Sequence, residues 1–267
     1  MTTRILVLDA GNTRLKWAVL DDVLNQSHAP LPAGSNAGVA ASLDWLDHGA
    51  VDYDHLADLP ARWQKWGVLV ACYAVSVAGD LVGTRVQQLV THIGLQPIWL
   101  KSSARACGVE NGYAPATSLG ADRWAALVAV RQRTREAALV VSAGSALTVD
   151  ALNSAGHFLG GLIVPGLHMM RTVLAASTAQ VGTQYGKVSS FPNTTADAVE
   201  SGLVAAIIGA IETMHSQLDT LSAASTRIFL TGGDAETLKL YLPPDTIIIP
   251  GLVLEGVYYL SREDQLT

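Results

Sequence analysis

Short apolar runs recur along the chain, each closed by glycine or small polar residues, with stretches of helical spacing between them. The first run, Ile5-Leu6-Val7-Leu8, ends on Asp9, turns through Ala10-Gly11-Asn12-Thr13 and resumes as Leu15-Lys16-Trp17-Ala18-Val19-Leu20. Continuous apolar runs bounded by turn residues predict strands buried on both faces. Residues 68–73 and 97–100 predict two more strands. Between them, residues 80–93 set Leu81, Val86, Leu89, Val90 and Ile93 on one side of a helix. Residues 21–59 have weak periodicity, with a helix expected over 37–46. Residues 102–118 have no clear period, carry Gly108, Gly112 and Pro115, and predict a loop or domain junction.

The second half repeats this grammar. A helix is expected over 124–135, then a strand over 138–141 that ends at Ser142-Ala143-Gly144-Ser145, then a strand over 146–152. Residues 157–164 predict a third strand, cut by Gly160-Gly161, and Pro165-Gly166 opens a helix to about residue 176. A long apolar helix is expected over 196–221, a strand over 227–231 ending in Gly232-Gly233-Asp234, a short strand over 247–249 and a closing helix over 252–260. The turn at Asp9 to Thr13 is echoed at Ser142 to Ser145. Internal similarity at long period suggests duplicated halves, here residues 1–118 and 119–267. Two such halves facing each other would form a cleft, a favoured place for a nucleotide.

Composition narrows the class. Of 267 residues, 49% are hydrophobic and only 15% charged, so much of the chain must be buried. The longest apolar candidate, residues 202–211, is bounded by Glu200 and Glu212, which argues against a membrane span. The first residues lead directly into a strand without a signal peptide's apolar region, so a cytoplasmic location is expected. Cys72 and Cys107 form no Cys-x-x-Cys pair, and the seven histidines are scattered, so no zinc site is indicated. A formal net charge of −6 and the lack of a basic run argue against a nucleic-acid partner.

Two stretches carry candidate chemistry. Residues 9–16 combine a carboxylate, a glycine turn with short polar side chains, and Lys16. Turn N–H groups can cup an anion, and magnesium is usually held by a carboxylate plus phosphates. The same residues also suit an ordinary β-hairpin. In Gly120-Ala121-Asp122-Arg123, Asp122 suits either a helix N-cap or a carboxylate that accepts a proton in a cleft.

In order, Asp9-Ala10-Gly11-Asn12-Thr13 with Lys16, Asn111-Gly112-Tyr113 with Pro115, Gly120-Ala121-Asp122-Arg123, Gly144-Ser145-Ala146, Gly160-Gly161 with Pro165-Gly166, Thr195, and Thr231-Gly232-Gly233 span nearly the whole chain. This set resembles the actin-like, hexokinase-like ATPase superfamily and, more narrowly, the type III pantothenate kinases, a family that includes proteins named Bvg accessory factor. The resemblance implies an α/β fold of two similar ribonuclease H-like (actin-like ATPase) domains facing across a nucleotide cleft. It implies ATP-dependent phosphorylation of pantothenate, the first step toward coenzyme A, by a homodimer. Asp9 would hold Mg²⁺ with ATP. Asp9, Ala10, Gly11, Asn12, Thr13, Arg14, Leu15 and Lys16 would cradle the phosphates, with Ser145 adding a contact from the second half. Asp122 would be the general base, and Tyr113, Gly120, Ala121, Asp122, Arg123 and Thr195 would bind pantothenate. Tyr113, Thr195 and Ser145 also suit a packing aromatic, a helix N-cap and a turn former.

The chain departs from the family pattern at three places. Ser142 stands where the family usually has an aspartate that helps bind a monovalent cation, K⁺ or NH₄⁺. Ser145 replaces threonine and keeps the hydroxyl, and Thr194 replaces a frequent asparagine. Two alternatives stay open: a nucleotide-binding transcriptional accessory protein without kinase activity, and a kinase of the same fold acting on another small hydroxyl substrate.

Overall fold

The computed structural model describes residues 3–25, 43–178, 182, 184–222 and 226–263. Contacts divide the chain into two compact units, Met1–Arg135 with Ala155–Phe158 and Gly251–Thr267, and Glu136–Ser154 with Leu159–Pro250.

Unit 1 contains β1 (Arg4–Ala10), β2 (Arg14–Asp21), α1 (Asp22–Asn25), β3 (Trp45–Asp52), α2 (Leu59–Gln64), β4 (Leu69–Ser76), α3 (Asp80–Thr91), β5 (Pro97–Trp99), β6 (Arg105–Ala106), β7 (Val109–Asn111) and α4 (Ala121–Arg133). Its main sheet has the order β3-β2-β1-β4-β5. β1 is central, antiparallel to β2 and parallel to β4. Its unbroken apolar run is explained by burial on both faces. Leu6, Leu8 and Ala10 join Leu15, Trp17, Val19, Trp63, Val86 and Val90 in one core, on the side covered by α2 and α3. With a side-chain period of two, Ile5, Val7 and Asp9 point to the other face.

Unit 2 contains β8 (Ala138–Ala143), β9 (Ala146–Leu152), most of β10 (His157–Pro165), α5 (Leu167–Ser177), α6 (Thr195–Leu221), β11 (Arg227–Thr231), α7 (Ala235–Lys239) and β12 (Ile247–Ile248). The chain then returns to unit 1 as α8 (Leu252–Glu263), which packs on β1, β4 and α4. The strand order in unit 2 is β10-β9-β8-β11-β12, with β8 antiparallel to β9 and parallel to β11. This repeats the order and directions around β1, so the echo seen in the sequence is an echo of topology.

The division falls at Arg135/Glu136, so the expected boundary after residue 118 lies inside unit 1. The reason is the packing of α4 on α8. Gly256 lies so close to Ala125 that a Cβ there would sit 1.8 Å from the Ala125 carbonyl oxygen. The buried Arg133 donates to Glu255 through Nε at 2.8 Å and Nη2 at 2.6 Å. That bidentate pair fixes the register of the two helices.

Other expectations shift in detail. Residues 102–118 hold the β6–β7 hairpin, whose strands are too short to leave a period. Its turn residues Cys107 and Gly108 both have positive φ, 49° and 78°, as a type I′ turn requires. Residues 37–42 of the expected 37–46 helix lie outside the described residues, and Trp45 and Leu46 belong to β3. α6 is long and apolar enough by composition to cross a membrane, the one such helix among the described residues. The exclusion argued from residues 202–211 therefore does not follow from hydropathy alone. Leu203, Val204, Ile207, Ile211 and Leu218 of α6 are buried in the core of unit 2 with Leu139, Val141, Leu147 and Val149.

Candidate active site

β1 delivers Asp9 to its C-terminal end, directly opposite Lys16 in the β1–β2 register. Lys16 Nζ lies 3.0 Å from Asp9 Oδ2. Directly opposed side chains on an antiparallel pair interact, so the ladder itself makes this ion pair. Asp9 is 2% exposed, while the lysine side chain is 43% exposed, so the pair joins a buried charge to solvent. The stretch is a β-hairpin, as the simpler alternative held. Gly11 N–H donates to the Arg14 carbonyl at 3.2 Å across its turn. Asn12, Thr13 and Arg14 are exposed, leaving the turn accessible to a ligand. Ala10 and Leu15 are fully buried in the core, so neither side chain cradles phosphate. Arg14 pairs with Asp52 at the surface.

Tyr53, unmarked by any sequence signal, ties this turn down. Its hydroxyl donates to the Gly11 carbonyl at 2.6 Å. Burial first, then the charge of Asp9, push the phenol up to about 12, so it remains a donor across the physiological range.

The second cluster begins at α4. Gly120 is the N-cap residue and Asp122 the second helical residue, so Asp122 is not the cap. Gly120 already supplies the first carbonyl of the ladder, to Trp124 N–H at 3.0 Å. Its Oδ1 accepts from Arg123 N–H at 2.8 Å, one of the first-turn amides that have no partner within the helix. Burial raises the Asp122 carboxyl above its ordinary 3.8, and the charge of Asp9 raises it further, against the pull of Arg123 and Lys16. Asp122 thus feels the charge of Asp9 within unit 1. An acid perturbed by burial and by a second carboxylate's charge is a functional-site signature.

Gly120 also sets the space for that carboxylate. A Cβ at position 120 would stand 2.7 Å from Asp122 Oδ1, while the next atom, Val77 Cγ1, is 3.6 Å away. Gly120→Ala is therefore expected to rotate the carboxylate and little else. Turnover should fall about 10²-fold with an unchanged melting curve; loss of both together would mean that the glycine serves the fold.

Arg123 is 6% exposed. Its Nη1 donates to the Tyr113 hydroxyl at 3.1 Å. The Tyr113 loop is shaped by Asn111, whose Oδ1 accepts from Tyr113 N–H at 3.0 Å and whose Nδ2 donates to the Ser103 and Ala116 carbonyls. Ser102 anchors the approach to α4 through the Leu119 carbonyl at 2.8 Å. Phe158, at the start of β10, packs on both Tyr113 and Arg123. No motif marked it; an aromatic in a predicted strand reads as core.

Ser142, Ser145 and Thr195 belong to unit 2. Ser145 is exposed on the β8–β9 turn and its carbonyl accepts from Gly166 N–H at 3.0 Å. A Cβ on Gly166 would lie 2.1 Å from the Gly144 carbonyl oxygen, and one on Gly232 2.1 Å from that of Ala143. The Gly144, Gly166 and Gly232 turns therefore converge on the end of β8, which explains those glycines. Thr194, not Thr195, caps α6, accepting from Asp197 N–H at 3.1 Å. Thr195, the first helical residue, is exposed. Ser142 faces Thr148 across the ladder, and the buried Thr148 hydroxyl has no hydrogen-bond partner. Both offer only neutral oxygens.

No group of three or more His, Cys, Asp or Glu arranged for a metal occurs among the described residues. A metal at Asp9 would complete its shell with phosphate and water oxygens, which is how magnesium is usually bound. The coupling of Asp9 with Asp122 fits this, since a divalent cation relieves repulsion between two carboxylates.

A solved structure described as a Baf family transcriptional activator, from Campylobacter jejuni, has a TM-score of 0.58 at 19% identity, covering 98% of this chain and 100% of that one. A 2-dehydro-3-deoxygalactonokinase structure from Sinorhizobium meliloti has a TM-score of 0.57 at 10% identity, over 97% and 98%. The two mixed α/β sheets, each with a glycine turn closing its central strand, are of the actin-like ATPase fold class. The family model for type III pantothenate kinase matches residues 5–217, and the type III pantothenate kinase of Thiobacillus denitrificans is 41% identical over 257 residues, 96% of each chain. The chain belongs to the type III pantothenate kinase family, whose activity is ATP-dependent phosphorylation of pantothenate.

Proposed function

We propose that the chain transfers the γ-phosphoryl group of ATP to the primary hydroxyl of pantothenate, with Asp122 as general base. The observation that carries this reading is the Asp122 carboxylate: placed in the first turn of α4, held by the Arg123 N–H, and raised by burial and the charge of Asp9. A base that binds its proton more tightly than a free carboxylate accepts one more readily from an alcohol. The hydroxyl oxygen of pantothenate forms the new P–O bond, its proton passes to Asp122, and the bond to the β-phosphate oxygen breaks as ADP departs. Phosphoryl transfer otherwise needs positioning and charge neutralisation. Lys16 and the exposed turn from Gly11 to Arg14 orient the phosphates, and Ser145 offers a hydroxyl to them. Tyr113, Gly120, Ala121, Arg123 and Thr195 bind pantothenate, with Arg123 and Tyr113 as donors to its carboxylate. Asp9 would hold Mg²⁺, which supplies charge neutralisation on the phosphates.

The repeated strand order supports the finer architecture of two similar ribonuclease H-like domains. Exposed apolar side chains of unit 2, among them Phe191 and Ile163, favour a homodimer. The location proposed is cytoplasmic. Because Ser142 and Thr148 supply no charge, the requirement for a monovalent cation is weakened or met by other carbonyls.

The test is release of ADP by the purified chain with and without pantothenate. ADP release should depend on pantothenate, and activity should persist without K⁺ and NH₄⁺. Release independent of pantothenate would defeat the reading, and total loss without K⁺ would defeat its cation clause.

A further inference from the structure

The Arg123 guanidinium sits 5.5 Å from the Tyr113 ring centroid and 5.8 Å from that of Phe158, and the two rings are 5.3 Å apart with a 36° tilt. Phe158 is 1% exposed and Arg123 6%. A guanidinium this deeply buried gives up most of its hydration, and the negative faces of two aromatic rings return part of what is lost. They also restrict the fork to one orientation, so less is lost when its N–H groups engage a planar carboxylate. The ring of Phe158 reaches its place because Phe158 pairs with Asn111 in the β10–β7 ladder. Asn111 is the residue that shapes the Tyr113 loop. One short ladder therefore sets both rings around one cation.

We propose that Phe158 is a positioning residue for substrate selectivity: with Tyr113 it holds Arg123 in the orientation that favours a substrate bearing a carboxylate over its neutral counterpart. Phe158 is itself too buried to touch substrate and acts through Arg123. The inference rests on the reading that Arg123 receives the pantothenate carboxylate. An ordinary core aromatic would affect all substrates alike, whereas this role affects only charged ones.

The experiment compares kcat/KM for pantothenate and for pantothenyl alcohol, in which a hydroxymethyl group replaces the carboxylate. It uses the full chain, Phe158→Leu, Phe158→Met, Phe158→Tyr and Arg123→Met. Phe158→Leu is expected to lower the pantothenate-to-alcohol ratio about tenfold, mainly through KM for pantothenate, with KM for ATP unchanged. Phe158→Tyr, which keeps the ring, should retain the ratio. Phe158→Met reads the same effect where leucine loosens the core, because the ratio is taken within one protein. A ratio unchanged in Phe158→Leu or Phe158→Met while Arg123→Met abolishes it overturns the proposal alone. A ratio unchanged in Arg123→Met overturns the Arg123 reading and the proposal with it.

Discussion

Asp122→Asn is expected to lower kcat by about 10²- to 10⁴-fold, the range spanned by loss of a general base. It should leave the fold intact or make it more stable. The two effects share one cause. In the folded chain burial, and next the charge of Asp9, hold the Asp122 carboxyl above its ordinary 3.8. The folded state therefore keeps this proton more tightly than the unfolded chain. Its contribution to stability is complete below the unfolded value and is lost as pH rises through the raised folded value. At neutral pH the wild type carries the unfavourable coupling of Asp122 with Asp9, and asparagine removes it with little change of shape. Chemical denaturation from pH 4 to pH 8 should show a flatter stability profile for Asp122→Asn. The acid limb of kcat/KM in the wild type should lie above the ordinary carboxylate range and vanish in the variant. A destabilised Asp122→Asn with an unshifted acid limb would refute the coupling.

Gly256→Ala should have the largest effect on stability. Its Cβ would lie 1.8 Å from the Ala125 carbonyl oxygen, 2.3 Å from the carbonyl carbon and 2.7 Å from Cα. All three atoms are backbone of a buried helix, so no side chain can swing aside. α4 and α8 must separate, straining the buried Arg133–Glu255 pair and moving the start of α4, where Asp122 sits. The expected cost is about 3 kcal/mol or more, measured by urea denaturation, with turnover impaired in whatever remains folded. A cost below about 1 kcal/mol would mean that the two helices tolerate a wider spacing.

The legible parts of the fold were those written in local pattern. β1 and β8 are central strands buried on both faces, and continuous apolar runs announce that environment. α3 and α6 keep one buried face and show helical spacing. β6 and β7 are too short for any period, so residues 102–118 read as loop although they form the ladder that later receives Phe158. A boundary after residue 118 follows from the internal echo and the unperiodic stretch before it, and neither registers α8, which comes from the far end of the chain to pack on α4. Among site residues, Asp9 and Lys16 were legible as a pair because a tight hairpin makes them opposite. Leu15 lies between them in sequence, and alternation sends its side chain into the core. Tyr53 and Phe158 act through contacts distant in sequence, and nothing local marks them.

By itself the sequence determined the strand-turn-strand units, their repetition and the residue types at each turn, because these depend on periodicity and on backbone freedom over a few residues. Tertiary structure alone decided which carboxylate is free to act. The place of Asp122 in the first turn depends on where α4 begins, and its affinity for a proton depends on burial and on Asp9, more than a hundred positions earlier. Electrostatic coupling and desolvation act through space, so no reading along the chain contains them.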